Sequence, residues 1–347
     1  MNYFAQIFFL TSFVLLYCVY GFGQDTTAAS ATWQVQKYDI SASLPQTDPD
    51  RSMSVKAVLA VKNVSTSPAS TVTLRISPNA EIAAVNVGGS VADFTKREEK
   101  INAAASLQRI VVRIPSVQPG AEVSVSVDYK LNVKDNTGAG VLSPLTSQFI
   151  PLSFWYPTPN SWFFARGADY APVRISVAAP SGMTVVSSGV GSANSFDQKL
   201  AGQPFFTSGS WDTTDANGVT VYAPKGTGAD QPGRSADLAS LAVDAKTFVS
   251  SFLGMNVDTP IRIVGVRRGS GFSSGGTILV DEGAFRRQKI DSQTAMNISE
   301  AVAKLFIGNA VAITGEGQGV LREGLPRYIA TQFLESKYGK DVADIER

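Results

Sequence analysis

The sequence predicts an all-β sandwich followed by an α+β module, and three observations carry that prediction. From Trp33 to about Leu131, apolar and polar residues alternate with period two in short runs, the pattern of half-buried strands. Near Arg234 the apolar residues move to spacings of three and four, the pattern of amphipathic helices. The chain has 347 residues, 44% of them hydrophobic, enough to bury a core in each of two modules.

The first element is an address. Residues 1–24 carry no charged side chain, and Phe8 to Phe22 form a nearly unbroken apolar stretch, with small residues at Gly21 and Gly23 and the polar segment Gln24–Ser30 after it. That is the order of a secretory signal peptide. It predicts cleavage after Gly23 and an exported mature chain, periplasmic or extracellular. The run is also long enough to stay as an uncleaved membrane anchor, and both outcomes remain open. A lipoprotein signal fits less well, because bulky Tyr17 precedes Cys18 where a small residue is needed.

Strands follow at Ser54–Val61, Thr71–Ile76, Arg109–Ile114, Glu122–Tyr129, Val173–Ala179, Thr184–Ser187 and Val219–Tyr222, separated by Pro, Gly, Asn and Ser. Residues 132–150 and 188–210, rich in Gly, Ser, Asn and Thr, read as long surface connections. Ala236–Leu253 reads as a helix with Leu238, Leu241, Ala245, Phe248 and Phe252 on one face. Ile261–Val266 and Thr277–Val280 read as strands around the Gly/Ser-rich turn Gly269–Gly276, and Ser292–Val311 and Val320–Tyr338 as helices. The modules therefore divide as 1–23 (signal peptide), 25–225 (β) and 234–347 (α+β).

Composition removes much ordinary chemistry. The chain has no histidine, which excludes His general acid–base catalysis and His metal ligands. Its one cysteine, Cys18, lies in the apolar leader, so the cleaved chain has no disulfide, no Cys nucleophile and no thiolate metal site. With 30 basic against 29 acidic residues and no basic stripe, nucleic acid is not a partner.

The order of segments resembles the gluzincin aminopeptidases, peptidase family M1. The carriers are Val35-Gln36-Lys37-Tyr38-Asp39-Ile40, then Trp155-Tyr156-Pro157 ahead of Val173–Ala179, then Pro180-Ser181-Gly182-Met183-Thr184-Val185-Val186-Ser187-Ser188-Gly189, which is similar to "P-x-G-x-T-V-V-S-N-G". Asn160-Ser161-Trp162 replaces an acidic segment usual in the family. The resemblance implies an N-terminal β-sandwich domain and a thermolysin-like catalytic-type domain, here incomplete: the chain reaches Arg347 before the helical region that holds the family's transition-state tyrosine. A short protein and a fragment both fit.

The family's zinc motif is H-E-x-x-H with a Glu on the following helix. Gly308-Asn309 resembles the end of the first motif helix, and Leu321-Arg322-Glu323-Gly324-Leu325 resembles "L-N-E-G-F". Both landmarks give one register, with Glu300 and Lys304 at the histidine positions, Ala301 at the catalytic base and Glu323 at the third ligand. A charged Lys304 has no lone pair for a metal, Ala301 takes no proton, and two carboxylates alone make a poor zinc site. The Glu that would grip a substrate amine aligns with Ser273, in Ser270-Gly271-Phe272-Ser273-Ser274.

No catalytic residue, no metal and no other cofactor is therefore expected. The resemblance implies a non-catalytic pseudopeptidase that binds a peptide or protein, or serves as a scaffold. The alternative, implied by the family alone, is a zinc aminopeptidase, with zinc as its cofactor. A membrane enters only through an uncleaved leader. The same residues also have plainer readings: Glu300 and Lys304 as a solvated i,i+4 pair, Trp155, Tyr156 and Trp162 as packing, and Arg286, Arg287, Arg322 and Arg327 as scattered surface charge or as a basic rim beside a cleft. Asn63-Val64-Ser65 and Asn297-Ile298-Ser299 match glycosylation acceptors.

Overall fold

Period-two alternation becomes a layered β module. The computed structural model describes residues 32–46, 51–103, 105–143, 145–159, 170–225, 233–311, 313 and 317–347. The leader with Cys18, and the Asn160-Ser161-Trp162 segment, lie outside them. Trp33–Ser43 buries Trp33, Val35, Tyr38, Ile40 and Ala42. The alternation slips one residue between Val35 and Lys37, where the pairing with Ser52–Asn63 shifts register. That bulge lets Val35 and Tyr38 both face inward.

Eight strands make the large sheet, in the order Val190–Ser192, Ser195–Gly202, Ala171–Ala178, Trp33–Ser43, Ser52–Asn63, Glu122–Asn132, Ala80–Val87 and Ser90–Val91. Only Trp33–Ser43 with Ala171–Ala178 is parallel. Two smaller sheets cover its inner face. One holds Ala69–Ile76, Ser106–Val117 and Phe94–Lys100; the other holds Thr184–Val186, Phe206–Gly209, Thr146–Phe149 and Gly140–Leu142. Ile40, Leu59, Leu74, Ile76, Val127, Trp155 and Phe206 fill the space between.

Residues 132–150 and 188–210 are thus not surface connections. They supply five strands, and Ser147, Gln148, Thr207 and Ser208 are buried in them. Their polar side chains hid the strands from a pattern reading, and hydrogen bonding makes the burial of Gln148 and Thr207 tolerable. Gln148 Nε2 donates to the carbonyls of Gly138 (3.1 Å) and Arg268 (2.9 Å), and Thr207 Oγ1 to that of Ser147 (3.3 Å).

The boundary near residues 225–234 also moves. Trp211–Ala216 and Val219–Pro224 join the second module, because Val219–Pro224 pairs in parallel with Ile261–Val266. The sheet continues through Thr277–Asp281 to Ser273–Ser274. Its parallel strands are covered on both faces, and all six residues of Ile261–Val266 are buried. Helices cover one face: α1 (Arg234–Leu253), α2 (Ser292–Phe306) and α3 (Gln318–Tyr338), with α4 (Lys340–Glu346) after them. On the other face Trp211, Val264, Val266 and Leu279 meet Ile150 and Val186 of the β module.

The helix ends follow their capping chemistry. Gly254 ends α1 at φ 65°, a left-handed position that glycine takes without strain. The Asp291 carboxylate caps α2, accepting the Thr294 N–H at 2.7 Å. Polar bonds tie the two modules. Arg262, buried, donates from Nη1 to the Gly189 carbonyl at 2.7 Å, and Thr277 Oγ1 to that of Ser187 at 2.9 Å.

The asparagines of both glycosylation sequences are held within the fold. Asn63 is fully buried and donates to the carbonyls of Ser67 and Val117, both at 2.9 Å. In the other, half-buried Asn297 sits within α2, and Ser299 is buried with its hydroxyl on the Ala295 carbonyl. Among the described residues no helix is long and apolar enough to cross a membrane.

Candidate functional site

Helices α2 and α3 bring Glu300, Lys304 and Glu323 together. One turn of α2 separates Glu300 from Lys304, so both project from one face, and α3 carries Glu323 across to them. The Lys304 Nζ donates to Glu300 Oε1 at 2.9 Å and to Glu323 Oε2 at 2.7 Å. The second oxygen of Glu300 accepts from Arg327 Nη1 at 3.1 Å, and Arg327 also donates to the Glu346 backbone carbonyl. A chain of alternating charge therefore runs from α4 through Arg327, Glu300 and Lys304 to Glu323.

Exposure is uneven along that chain. The side chains of Glu300 and Lys304 are 19% and 28% exposed, but that of Glu323 is 68% exposed. Partial burial pulls the Lys304 ammonium down, while the bonds from Glu323 and Glu300 outweigh it and hold its pKa above the ordinary lysine value. Lys304 thus stays charged through neutral pH and is no amine nucleophile there.

The remaining sequence candidates divide. Ala301 is buried in the helical core, 7% exposed, among Ile298, Val302 and Leu305. Ser273, half-buried, lies on the edge strand Ser273–Ser274, paired with Ile278. The four arginines form no single rim. Arg286 pairs with Glu282, and Arg287 with Asp281 and Asp291, around the 3-10 turn Glu282–Phe285. Arg327 belongs to the charge chain, and the Arg322 guanidinium lies over the Tyr170 ring, 4.0 Å from its centroid. Gly308, beside Arg322, sits at φ 97°, a backbone conformation that L side chains rarely adopt. The sequence reading missed the Glu300–Arg327 bond; its available signal was that Arg327 lies one helical turn after Glu323. Trp155 and Tyr156 are core residues, 0% and 3% exposed.

No protein-family profile and no curated protein matches the sequence. Solved structures do match. Yeast LTA4 hydrolase in complex with bestatin superposes with a TM-score of 0.65 at 16% identity, covering 93% of this chain and 52% of its own. An M1 zinc metallopeptidase from Deinococcus radiodurans gives 0.59 at 15% identity, covering 90% of this chain and 73% of its own. A mutant two-domain M1 zinc metallopeptidase bound to L-tryptophan gives 0.60 at 15% identity, with the same coverage. The fold is that of the M1 zinc metallopeptidases. This chain spans about half the length of yeast LTA4 hydrolase.

The M1 fold implies zinc, and the residues present do not suit it. The chain has no imidazole, its one thiol is Cys18, and the converging donors are two carboxylates already bonded to cations. Among the described residues no three acidic side chains gather as a metal cluster.

The ammonium bridge has a measurable worth. Lys304→Ala leaves two carboxylates facing each other, so a loss of about 1–2 kcal/mol is expected. That lies between the under 1 of a solvated pair and the 3–5 of a buried one. A base whose pKa rises on folding adds stability that is complete below its unfolded value and lost as pH rises through its folded value. Urea unfolding should therefore show the wild-type advantage intact at pH 7 and shrinking above about pH 10.4. An advantage that instead grows with alkaline pH would contradict this account.

Proposed function

We propose that this chain is an exported, non-catalytic member of the M1 fold, a pseudopeptidase that binds a peptide or protein or serves as a scaffold. In this reading Glu300, Lys304 and Glu323 hold the family's three ligand positions, with Ala301 in place of the base and Ser273 in place of the amine-gripping carboxylate. One observation carries it: an ammonium of the chain itself joins the two carboxylates that remain there. A zinc ion balances charge between its ligands, and Lys304 supplies a positive charge to the same side chains without a metal. The uncharged apolar run before Gly23 supports export.

Metal content tests the reading. The purified mature protein, dialysed mildly, should hold far less than one zinc per chain and should not hydrolyse aminoacyl substrates. Near-stoichiometric zinc by elemental analysis would return the chain to the aminopeptidases.

A further inference from the structure

Lys304 is held by two carboxylates of very different security. Glu300 is 19% exposed and spends both oxygens, one on Lys304 and one on Arg327. Arg327 is itself anchored on the Glu346 carbonyl. Glu323 is 68% exposed and, among the described residues, grips Lys304 through Oε2 alone. From this asymmetry we infer that Lys304 is a carboxylate-binding site for a peptide or protein ligand, with Glu323 as the resident anion that the ligand replaces. The inference rests on the non-catalytic reading, because a metal at these positions would leave no free ammonium.

The exchange suits the charges present. One carboxylate leaves Lys304 and another arrives, so the ammonium keeps two anionic partners and no charge is buried alone. Displacing Glu323 breaks one exposed ion pair, of the kind worth little because water competes for both partners. Displacing Glu300 would strip two cations at once. With Arg327 beside Glu300, the cluster holds two cations and two carboxylates, and once Glu323 swings away two cations face one carboxylate. An anionic group gains from that excess, and an ammonium does not. The family's grip on a substrate amine through a carboxylate is replaced at Ser273 by a hydroxyl. The group of a peptide that Lys304 favours is therefore an acidic one. A C-terminal carboxylate and an Asp or Glu side chain offer the same chemistry.

Three small peptides separate the cases: N-acetyl-trialanine as the free acid, its C-terminal amide, and the amidated N-acetyl-Ala-Glu-Ala. Each is titrated into the 15N-labelled mature protein up to about 10 mM, near the weak limit for a single ion-pair contact, following the amides of residues 303–308 and 322–324. We expect the free acid, the Glu-containing amide or both to shift these signals saturably, and the neutral amide to leave them unmoved. The peptide that shifts them names the carboxylate recognised. Glu323→Gln should tighten binding roughly two- to five-fold, the span of an exposed ion pair, and Lys304→Gln should abolish it. Equal shifts from all three peptides, no shifts at all, binding that survives Lys304→Gln, or an unchanged affinity in Glu323→Gln would each overturn the proposal. Zinc content and peptide hydrolysis are measured on the same samples. Either would sink the non-catalytic reading, whereas loss of the carboxylate preference alone leaves that reading standing.

Discussion

Replacing Trp155 with alanine should cost about 3–5 kcal/mol of stability, as for other buried aromatic truncations. The ring is fully buried and meets Phe206 at 5.3 Å, Tyr156 at 5.4 Å and Phe149 at 6.2 Å between centroids. Its indole N–H donates to the Pro204 carbonyl at 3.2 Å, and its own carbonyl accepts the Tyr129 hydroxyl at 2.5 Å. Burial also pushes the Tyr129 phenol well above its usual pKa, so it remains a donor at any ordinary pH. Alanine would open a cavity between the large sheet and its four-stranded cover and leave the Pro204 carbonyl unpaired. Trp155→Phe should restore most of the packing and cost less, which separates volume from hydrogen bonding. Urea unfolding followed by near-UV dichroism measures both. A loss under about 1 kcal/mol for Trp155→Ala would mean that this aromatic segment does not hold the core.

The β module was legible wherever one face of a strand is apolar. Ser54–Val61 and Glu122–Tyr129 announced themselves by alternation, and the structure extends them to Ser52–Asn63 and Glu122–Asn132. Thr146–Phe149 and Phe206–Gly209 did not, because Ser147, Gln148, Thr207 and Ser208 are buried polar residues, and the bonds of Gln148 and Thr207 reach far along the chain. Phe94–Lys100 also escaped. Six of its seven residues are polar or charged, and as an edge strand it needs no buried face. The module boundary was misplaced for a topological reason. Val219–Pro224 alternates like the strands before it, but its parallel neighbour comes only after α1. In the site, the meeting of Glu300, Lys304 and Glu323 followed from local landmarks at the ends of two helices. The role of Arg327 did not, because it depends on how α3 crosses α2.

Introducing imidazole should introduce a metal site. Glu300→His with Lys304→His puts two ring nitrogens one helical turn apart on α2, with Glu323 facing them from α3 as a third ligand. That set leaves an open coordination position and suits zinc. We expect uptake on the order of a micromolar dissociation constant, about 8 kcal/mol, and no comparable uptake by the unaltered chain. Ala301 is left unchanged, because a carboxylate there would enter a position that is 7% exposed in the helical core, and ligation does not require it. Arg327 is the obstacle that only the structure reveals. Its guanidinium lies 3.1 Å from Glu300 Oε2, and in the double variant it loses that partner and stands beside the incoming dication. Adding Arg327→Gln should therefore tighten zinc binding further, and the tightening should shrink as salt screens the repulsion. Hydrolysis should stay near background in both variants, since Ala301 supplies no base and Ser273 no grip on an amine. Zinc titration against a competing chelator reads the affinities, and circular dichroism verifies the fold. A folded double variant that takes up no zinc, with Arg327→Gln making no difference, would show that α2 and α3 do not hold these three positions in metal-binding geometry.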